Sequence, residues 1–133
     1  MTYNLILSSK KFSIYKFQKN TVLPEWVYSS EFCSVTRTDE ELSVVTAQTD
    51  HISDWIVSSN NWRIFKIEGP LDFSLIGVIA DISAILKEVK VSVFIISTYN
   101  TDYILIKEND LNTSLASLQN QNLNCGLVQQ LLV

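Results

Sequence analysis

Apolar positions recur along this chain with two different periods, and the change of period marks out the elements. Phe12 to Gln18 (FSIYKFQ) alternates and is rich in β-branched and aromatic residues, which predicts a strand. A shorter strand-like run, Leu5 to Ser8, precedes it. Pro24 in TVLPEW bars a central strand there. Phe32–Thr38 and Leu42–Gln48 predict a hairpin turning at Asp39-Glu40-Glu41, and Asn60-Asn61 reads as a turn. Between these, DHISDWIVSSN has room for one or two helical turns. Trp62 to Gly69 predicts a strand that Gly69-Pro70 ends.

From Ser74 to about Glu88 the period lengthens to that of a helix, with Leu75, Ile79, Ile82, Leu86 and Val89 on one face. Asp72 or Ser74 can cap its first amides. VSVFIIS (Val91 to Ser97) and YILIK (Tyr103 to Lys107) are strands on either side of the polar stretch Thr98 to Asp102. Asn109 can cap a second helix, whose Leu111, Leu115 and Leu118 share a face. NQNLN ends that helix, and CGLVQQLLV predicts a last strand. The second half therefore runs β-α-β-β-α-β. Its first helix has only a narrow weakly apolar stripe: Ser74, Gly77, Asp81, Ala84 and Glu88. A helix with one side in water shows a broader polar face. This one is expected to be covered twice, by the sheet and by a neighbour, either the second helix or another chain.

The two halves resemble each other. SIYKF (Ser13 to Phe17) matches RIFKI (Arg63 to Ile67). SVTRTDEELSVV (Ser34 to Val45) matches the segment from Ile96, with Thr36 on Thr98, Arg37 on Tyr99, Glu40 on Asp102 and Leu42 on Ile104. The second offset is larger, so the first half lacks much of the segment that forms the long helix in the second. Two copies of one βαββ unit, the first with an eroded helix, account for both matches.

The chain has 133 residues and 47% hydrophobic content with 18% charge, which suits one compact domain or two small halves sharing a core. Its formal charge of −4 and scattered lysines and arginines argue against a nucleic-acid or anionic-membrane surface. Cys33 and Cys125 sit among apolar residues and read as reduced, buried thiols. MTYNLILSSKKF shows no basic region followed by a long apolar one, so no signal peptide is expected. The most apolar window, LIGVIADISAIL, is too short for a bilayer and is interrupted by Asp81. A cytoplasmic protein is expected.

No catalytic constellation stands out. His51 is the single histidine, which rules out a multi-histidine metal site, and three glycines make no phosphate loop. Asp39-Glu40-Glu41 reads as a solvated hairpin tip. A binding site asks for less: a few polar groups at the edge of an apolar pocket. GPLDFS and STYNTD supply them. Asp72 or Asp102 suits a ligand cation, and the helix start near Ser74 suits a carboxylate, so together they suit a zwitterion. Against this, Asp72 serves equally as a cap, and Thr98 to Asp102 explains itself as a turn in which Asn100 or Asp102 bonds its own backbone.

GPLDFSLIG, VSVF and STYNTDYIL, within Glu68 to Leu111, resemble the ACT-domain family. The nearest likeness is to small tandem-ACT bacterial proteins related to CASTOR-type arginine sensors and to aspartokinase regulatory domains. FCSVTRTDEELSVV in the first half resembles the same branch. The resemblance implies an α+β, ferredoxin-like βαββαβ fold in two ACT-like units, a degenerate one over 1–61 and a full one over 62–133. It implies no catalytic activity of its own, and no cofactor or metal is expected. It implies regulatory binding of a small amino acid or related zwitterion where ACT units abut, here across a homodimer. By that likeness the ligand-binding candidates are Asp72, Ser74, Ser92, Val93, Thr98, Tyr99, Asn100, Thr101 and Asp102. Asp102 would pair with a cationic group, the amides of Ser92 and Val93 or of the helix start would hold a carboxylate, and Tyr99 would pack over an aliphatic stem. The alternative is an ACT-fold interaction or structural module without a ligand.

Overall fold

The computed structural model describes residues 4–50, 56–68, 77–120 and, by backbone alone, 128–131. In chain order the elements are β1 (Leu5–Ser8), β2 (Phe12–Phe17), β3 (Ser34–Arg37), β4 (Leu42–Ala47), β5 (Val57–Ile67), α1 (Val78–Glu88), β6 (Phe94–Ser97), β7 (Asp102–Lys107), α2 (Leu111–Asn120) and β8 (Val128–Leu131). They group into two compact units, Lys10–Trp62 and a second built from the chain up to Ser9 together with Arg63 onward. β5 contributes its first part to one unit and its last part to the other.

The C-terminal unit is a mixed α/β layer with the strand order β6-β7-β5-β1-β8. Its βαββαβ motif is β5-α1-β6-β7-α2-β8, the ferredoxin-like order. Against a split at 61/62, β1 belongs here. It pairs antiparallel with β5 (Leu5↔Ile67, Leu7↔Phe65) and parallel with β8 (Leu5↔Val128). The cause is the two-residue period of β1. Leu5 and Leu7 point to one face, where Phe65, Ile67, Ile104 and Ile106 already lie, and all six are buried in one cluster.

α1 lays Val78, Ile82 and Leu86 onto that cluster, and α2 adds Leu118 with Leu111 and Leu115 half-buried. One side of α1 is therefore shared between sheet and α2. The helix begins later than its apolar period suggests. Its N-cap is Gly77, at φ +85 and without a side-chain cap, and the proposed caps Asp72 and Ser74 lie outside the described residues. Nothing lies within 4 Å of a Cβ built on Gly77, so its left-handed backbone alone favours glycine there. α2 is entered through a 3-10 turn, Glu108–Asp110, which contains the expected cap Asn109.

The Lys10–Trp62 unit pairs β3, β4, β2 and the first half of β5 in that order, all antiparallel. Between β2 and β3 stands a one-turn 3-10 helix, Glu25–Tyr28, after Pro24. Its fully buried Val27 packs with Tyr15, Phe17, Leu42 and Val44. The Thr46 hydroxyl donates to the Val27 carbonyl at 2.8 Å, and Trp26 meets Tyr15 edge-on with centroids 5.3 Å apart. Asn60-Asn61 is not a turn. The chain runs on through it as strand, with a bulge between the pairs Phe12↔Trp62 and Ile14↔Ser59. Asn61 takes φ +66, which asparagine tolerates, and Gln48 satisfies it: Asn61 N–H donates to Gln48 Oε1 at 2.7 Å and Gln48 Nε2 to Asn61 Oδ1 at 3.1 Å.

Arg63 is buried on the helix-facing side of β5, in phase with Phe65 and Ile67. Its Nε (3.0 Å) and Nη2 both donate to the carbonyl of Ser8, the last residue of β1. Its Nη1 reaches Glu108 Oε2 at 3.2 Å, at the entry to α2. Arg63→Ala strands a buried carbonyl and a part-buried carboxylate, and is expected to destabilise the protein by about 2–3 kcal/mol in urea unfolding. Glu108→Gln, which keeps a neutral acceptor at the more exposed end, is expected to cost under about 1 kcal/mol.

Candidate functional site

The polar stretch Thr98–Thr101 is the turn between β6 and β7, whose ladder runs from Phe94↔Leu105 to Ser97↔Asp102. Thr98 N–H donates to the Thr101 carbonyl at 2.9 Å and the Thr98 hydroxyl to the same oxygen at 3.1 Å. The turn is thus closed by a threonine, not by Asn100 or Asp102 bonding its own backbone. Thr101 is buried, and its hydroxyl donates to the carbonyl of Ile67 at 2.5 Å, tying the turn to the end of β5. Asp102 opens β7 and accepts from the Ser97 hydroxyl at 2.5 Å, across the last rung of the ladder. Tyr99 projects from the tip, 81% exposed.

The β3–β4 hairpin repeats this one residue for residue, sixty positions earlier: Ser34–Arg37 and Leu42–Ala47 against Phe94–Ser97 and Asp102–Lys107. Its ladder has the same register, Arg37↔Leu42 standing for Ser97↔Asp102. Thr38 N–H donates to Glu41 O at 2.9 Å, as Thr98 does to Thr101. The sequence match of Thr36 to Thr98 is therefore two residues out of phase. A slip of two keeps every side chain on its own face, so an alternating pattern alone does not detect it. In the correct register Leu42, 4% exposed, stands where Asp102 stands, and Thr38 stands where Thr98 does. The first hairpin has no carboxylate at that position.

Ser92 and Val93 lie at the other end of β6. Six residues at about 3.3 Å each put Ser92 roughly 20 Å from Thr98. Within one unit the two sets of candidates do not meet around a small molecule. Ser92 and Val93 instead line an open groove of about 640 Å³ with Ala80, Ser83, Ala84 and Lys87 of α1, Lys90 and Val91. The ladder starts at Phe94, which leaves the backbone amides of Ser92 and Val93 outside it. The wall turns at Lys90, whose φ is +61. Lys90 N–H donates to Lys87 O at 2.9 Å and Val91 N–H to Leu86 O at 3.0 Å, the paired bonds of a Schellman C-terminus.

Lys87, Lys90 and Ser83 escaped sequence reasoning. Periodicity placed the helix by its buried face and said nothing of which exposed residues border a concavity. The one available signal was a lysine just past the last periodic residue, where glycine or asparagine is usual.

Asp72 and Ser74, with His51 and Cys125, lie outside the described residues. Cys33 is half-buried, and burial pushes its thiol above the ordinary value, the opposite of an activated nucleophile. Among the described residues no group of three or more His, Cys, Asp or Glu could hold a metal, and no helix is long and apolar enough to cross a membrane.

Residues 57–120 match the family model of the ACT domain, and a second model, of an N-terminal domain, matches residues 10–56. The cytosolic arginine sensor for mTORC1 subunit 1 of Rattus norvegicus is 37% identical over 71 residues, which is 50% of this chain and 22% of that protein. The chain thus spans about a fifth of the curated relatives it matches. A crystal structure of an Agobacterium tumefaciens protein superposes with a TM-score of 0.84 at 27% identity, over 100% of this chain and 95% of that one. The regulatory subunit of aspartate kinase from Thermus thermophilus, ligand-free, superposes at 0.60 and 10% identity over 90% and 97%, a likeness of fold.

Replacing Thr101 by valine keeps its shape and removes its hydroxyl. The buried carbonyl of Ile67 loses its donor, so Thr101→Val is expected to cost about 1–2 kcal/mol of stability. Asn100→Ala, at the exposed tip, is expected to change stability by less than about 0.5 kcal/mol in the same melt.

Proposed function

We propose that this protein, whose residues 57–120 match the ACT-domain family model, is a non-catalytic regulatory binder of a small amino acid, with its ligand held where ACT units of two copies abut. The groove beneath α1 carries this reading. It offers an apolar floor of Ala80, Ala84, Val91 and Val93, and Ser92 and Val93 amides outside the ladder that suit a ligand carboxylate. The likeness to a protein named as an arginine sensor, and the fold of an aspartate kinase regulatory subunit, support a role in amino-acid response.

Thr98 to Asp102 lie about 20 Å from the groove within one unit, so they serve the same ligand only across a second copy. A homodimer in the cytoplasm is therefore part of the proposal. Asp102 would meet the ligand ammonium and Tyr99 its stem, with Asp72 and Ser74 near the helix start. The first hairpin, with Leu42 in place of Asp102, is not proposed to bind.

A second reading is a ligand-free interaction module. It draws on the turn itself, where Thr98, Thr101 and Asp102 all find partners inside their own unit.

A thermal-shift screen against the twenty amino acids separates the two readings. A ligand at about 100 times its dissociation constant stabilises by about 2.7 kcal/mol, a rise of roughly 10 °C for a domain this size. Asp102→Ala is expected to weaken that ligand by about 2–3 kcal/mol. No shift with any amino acid would favour the interaction module.

A further inference from the structure

The groove has a charge of its own. Lys87 and Lys90 stand on its rim, while Asp81 and Glu88, the acids of α1, are not among its lining residues. Neither lysine makes an ion pair among the described residues, where Arg63–Glu108 is the salt bridge. Arginine recognition needs a carboxylate to meet the guanidinium; the lining within one unit has none, and Asp102 of a second copy is taken by the ligand ammonium. A cationic ligand would instead sit against two like charges.

Lys90 adds a second, independent observation. It occupies the left-handed position that ends α1, where glycine fits without strain. A lysine there costs about 1–2 kcal/mol relative to an ordinary conformation. The paired bonds of the helix end fix that backbone, and a lysine where glycine is usual puts a second cation on the rim of the groove. Lys87 alone would be explained by its place in the last turn of α1, where a cation offsets the helix dipole. Lys90 lies past the cap of α1, and it brings a second positive charge to the same rim.

We propose that the ligand of this groove is an acidic amino acid, glutamate or aspartate, whose side-chain carboxylate is held by Lys87 and Lys90. The inference rests on the amino-acid-binding reading and narrows it. The α-carboxylate takes the amides of Ser92 and Val93, and Ala80, Ala84 and Val91 cover the methylene stem. Ser83, whose hydroxyl donates to Ala80 O at 3.3 Å, keeps its oxygen available as an acceptor.

The test is isothermal titration of the full chain with L-glutamate, L-aspartate, L-glutamine and L-arginine, at low and at 0.5 M salt. An acidic amino acid is expected to bind at least tenfold tighter than glutamine or arginine, and to weaken with salt. Lys87→Gln and Lys90→Gln, both at exposed positions, are each expected to lose about tenfold with the melting temperature of the free protein kept. Lys90→Gly is expected to raise that temperature while losing the same affinity, a pairing that a purely structural Lys90 would not give. Tighter binding of arginine or a neutral amino acid overturns this inference and leaves the amino-acid-binding reading standing. Binding of glutarate as tight as glutamate also overturns it, showing an unselective anion site. Binding of none of the four, together with no shift in the wider screen, removes both.

Discussion

Two acceptors meet at Arg63, the carbonyl of Ser8 and the carboxylate of Glu108. The carbonyl of Ser8 ends β1, β1 lies between β5 and β8, and Glu108 opens the turn into α2. A guanidinium presents a rigid fork, so it can donate two hydrogen bonds to one carbonyl and still reach a carboxylate. Sheet and helical layer are thereby pinned at a point where a hydrophobic contact would fix distance but not angle. Ser8 closes the arrangement from the other side, its hydroxyl accepting from Ile64 N–H at 3.1 Å. β5 pairs with β1 from Phe65 to Ile67, and the turn anchored by Thr101 to Ile67 is held at that end of the strand.

Much of this was written in the pattern of apolar positions. Leu42 to Ala47, Arg63 to Ile67 and Ile82 with Leu86 declare strand, strand and helix by period alone, and the structure places them so. What the pattern could not carry is partnership. β1 reads as a strand in isolation, but nothing local says that its neighbours are β5 and β8, each far along the chain. Asn60-Asn61 has turn chemistry, and Gln48, just past the end of β4, holds Asn61 in the bulge instead. The hairpin repeat was visible but slipped by two, because the side-chain period of a strand is blind to that shift.

The candidate site divides in the same way. The residues of STYNTD and VSVF were legible as polar or backbone-exposed positions through family likeness. Their separation along β6 follows from strand rise, and sets them at opposite ends of one element. The two hairpins share a register and the bond from the threonine N–H across the turn. They differ in what stands at the first position of the returning strand, a buried leucine in one and a carboxylate in the other. The chemistry of the groove rests on two lysines whose significance is spatial, since only the folded wall of α1 and the segment before β6 makes a concavity between them.

The place of β1 has a consequence for how the chain is born. Leu5 pairs with Ile67 and Val128, partners that leave the ribosome long after it does. Contacts so distant in sequence slow folding, because the loop must close before it is rewarded. The Lys10–Trp62 unit has all its strands in hand once Trp62 is made. The apolar strand ahead of it must wait, with Leu5 and Leu7 uncovered, until the segments around Ile67 and Val128 are made. A strand made before the Lys10–Trp62 unit is therefore placed only after it, and in that interval its apolar face is open to wrong partners.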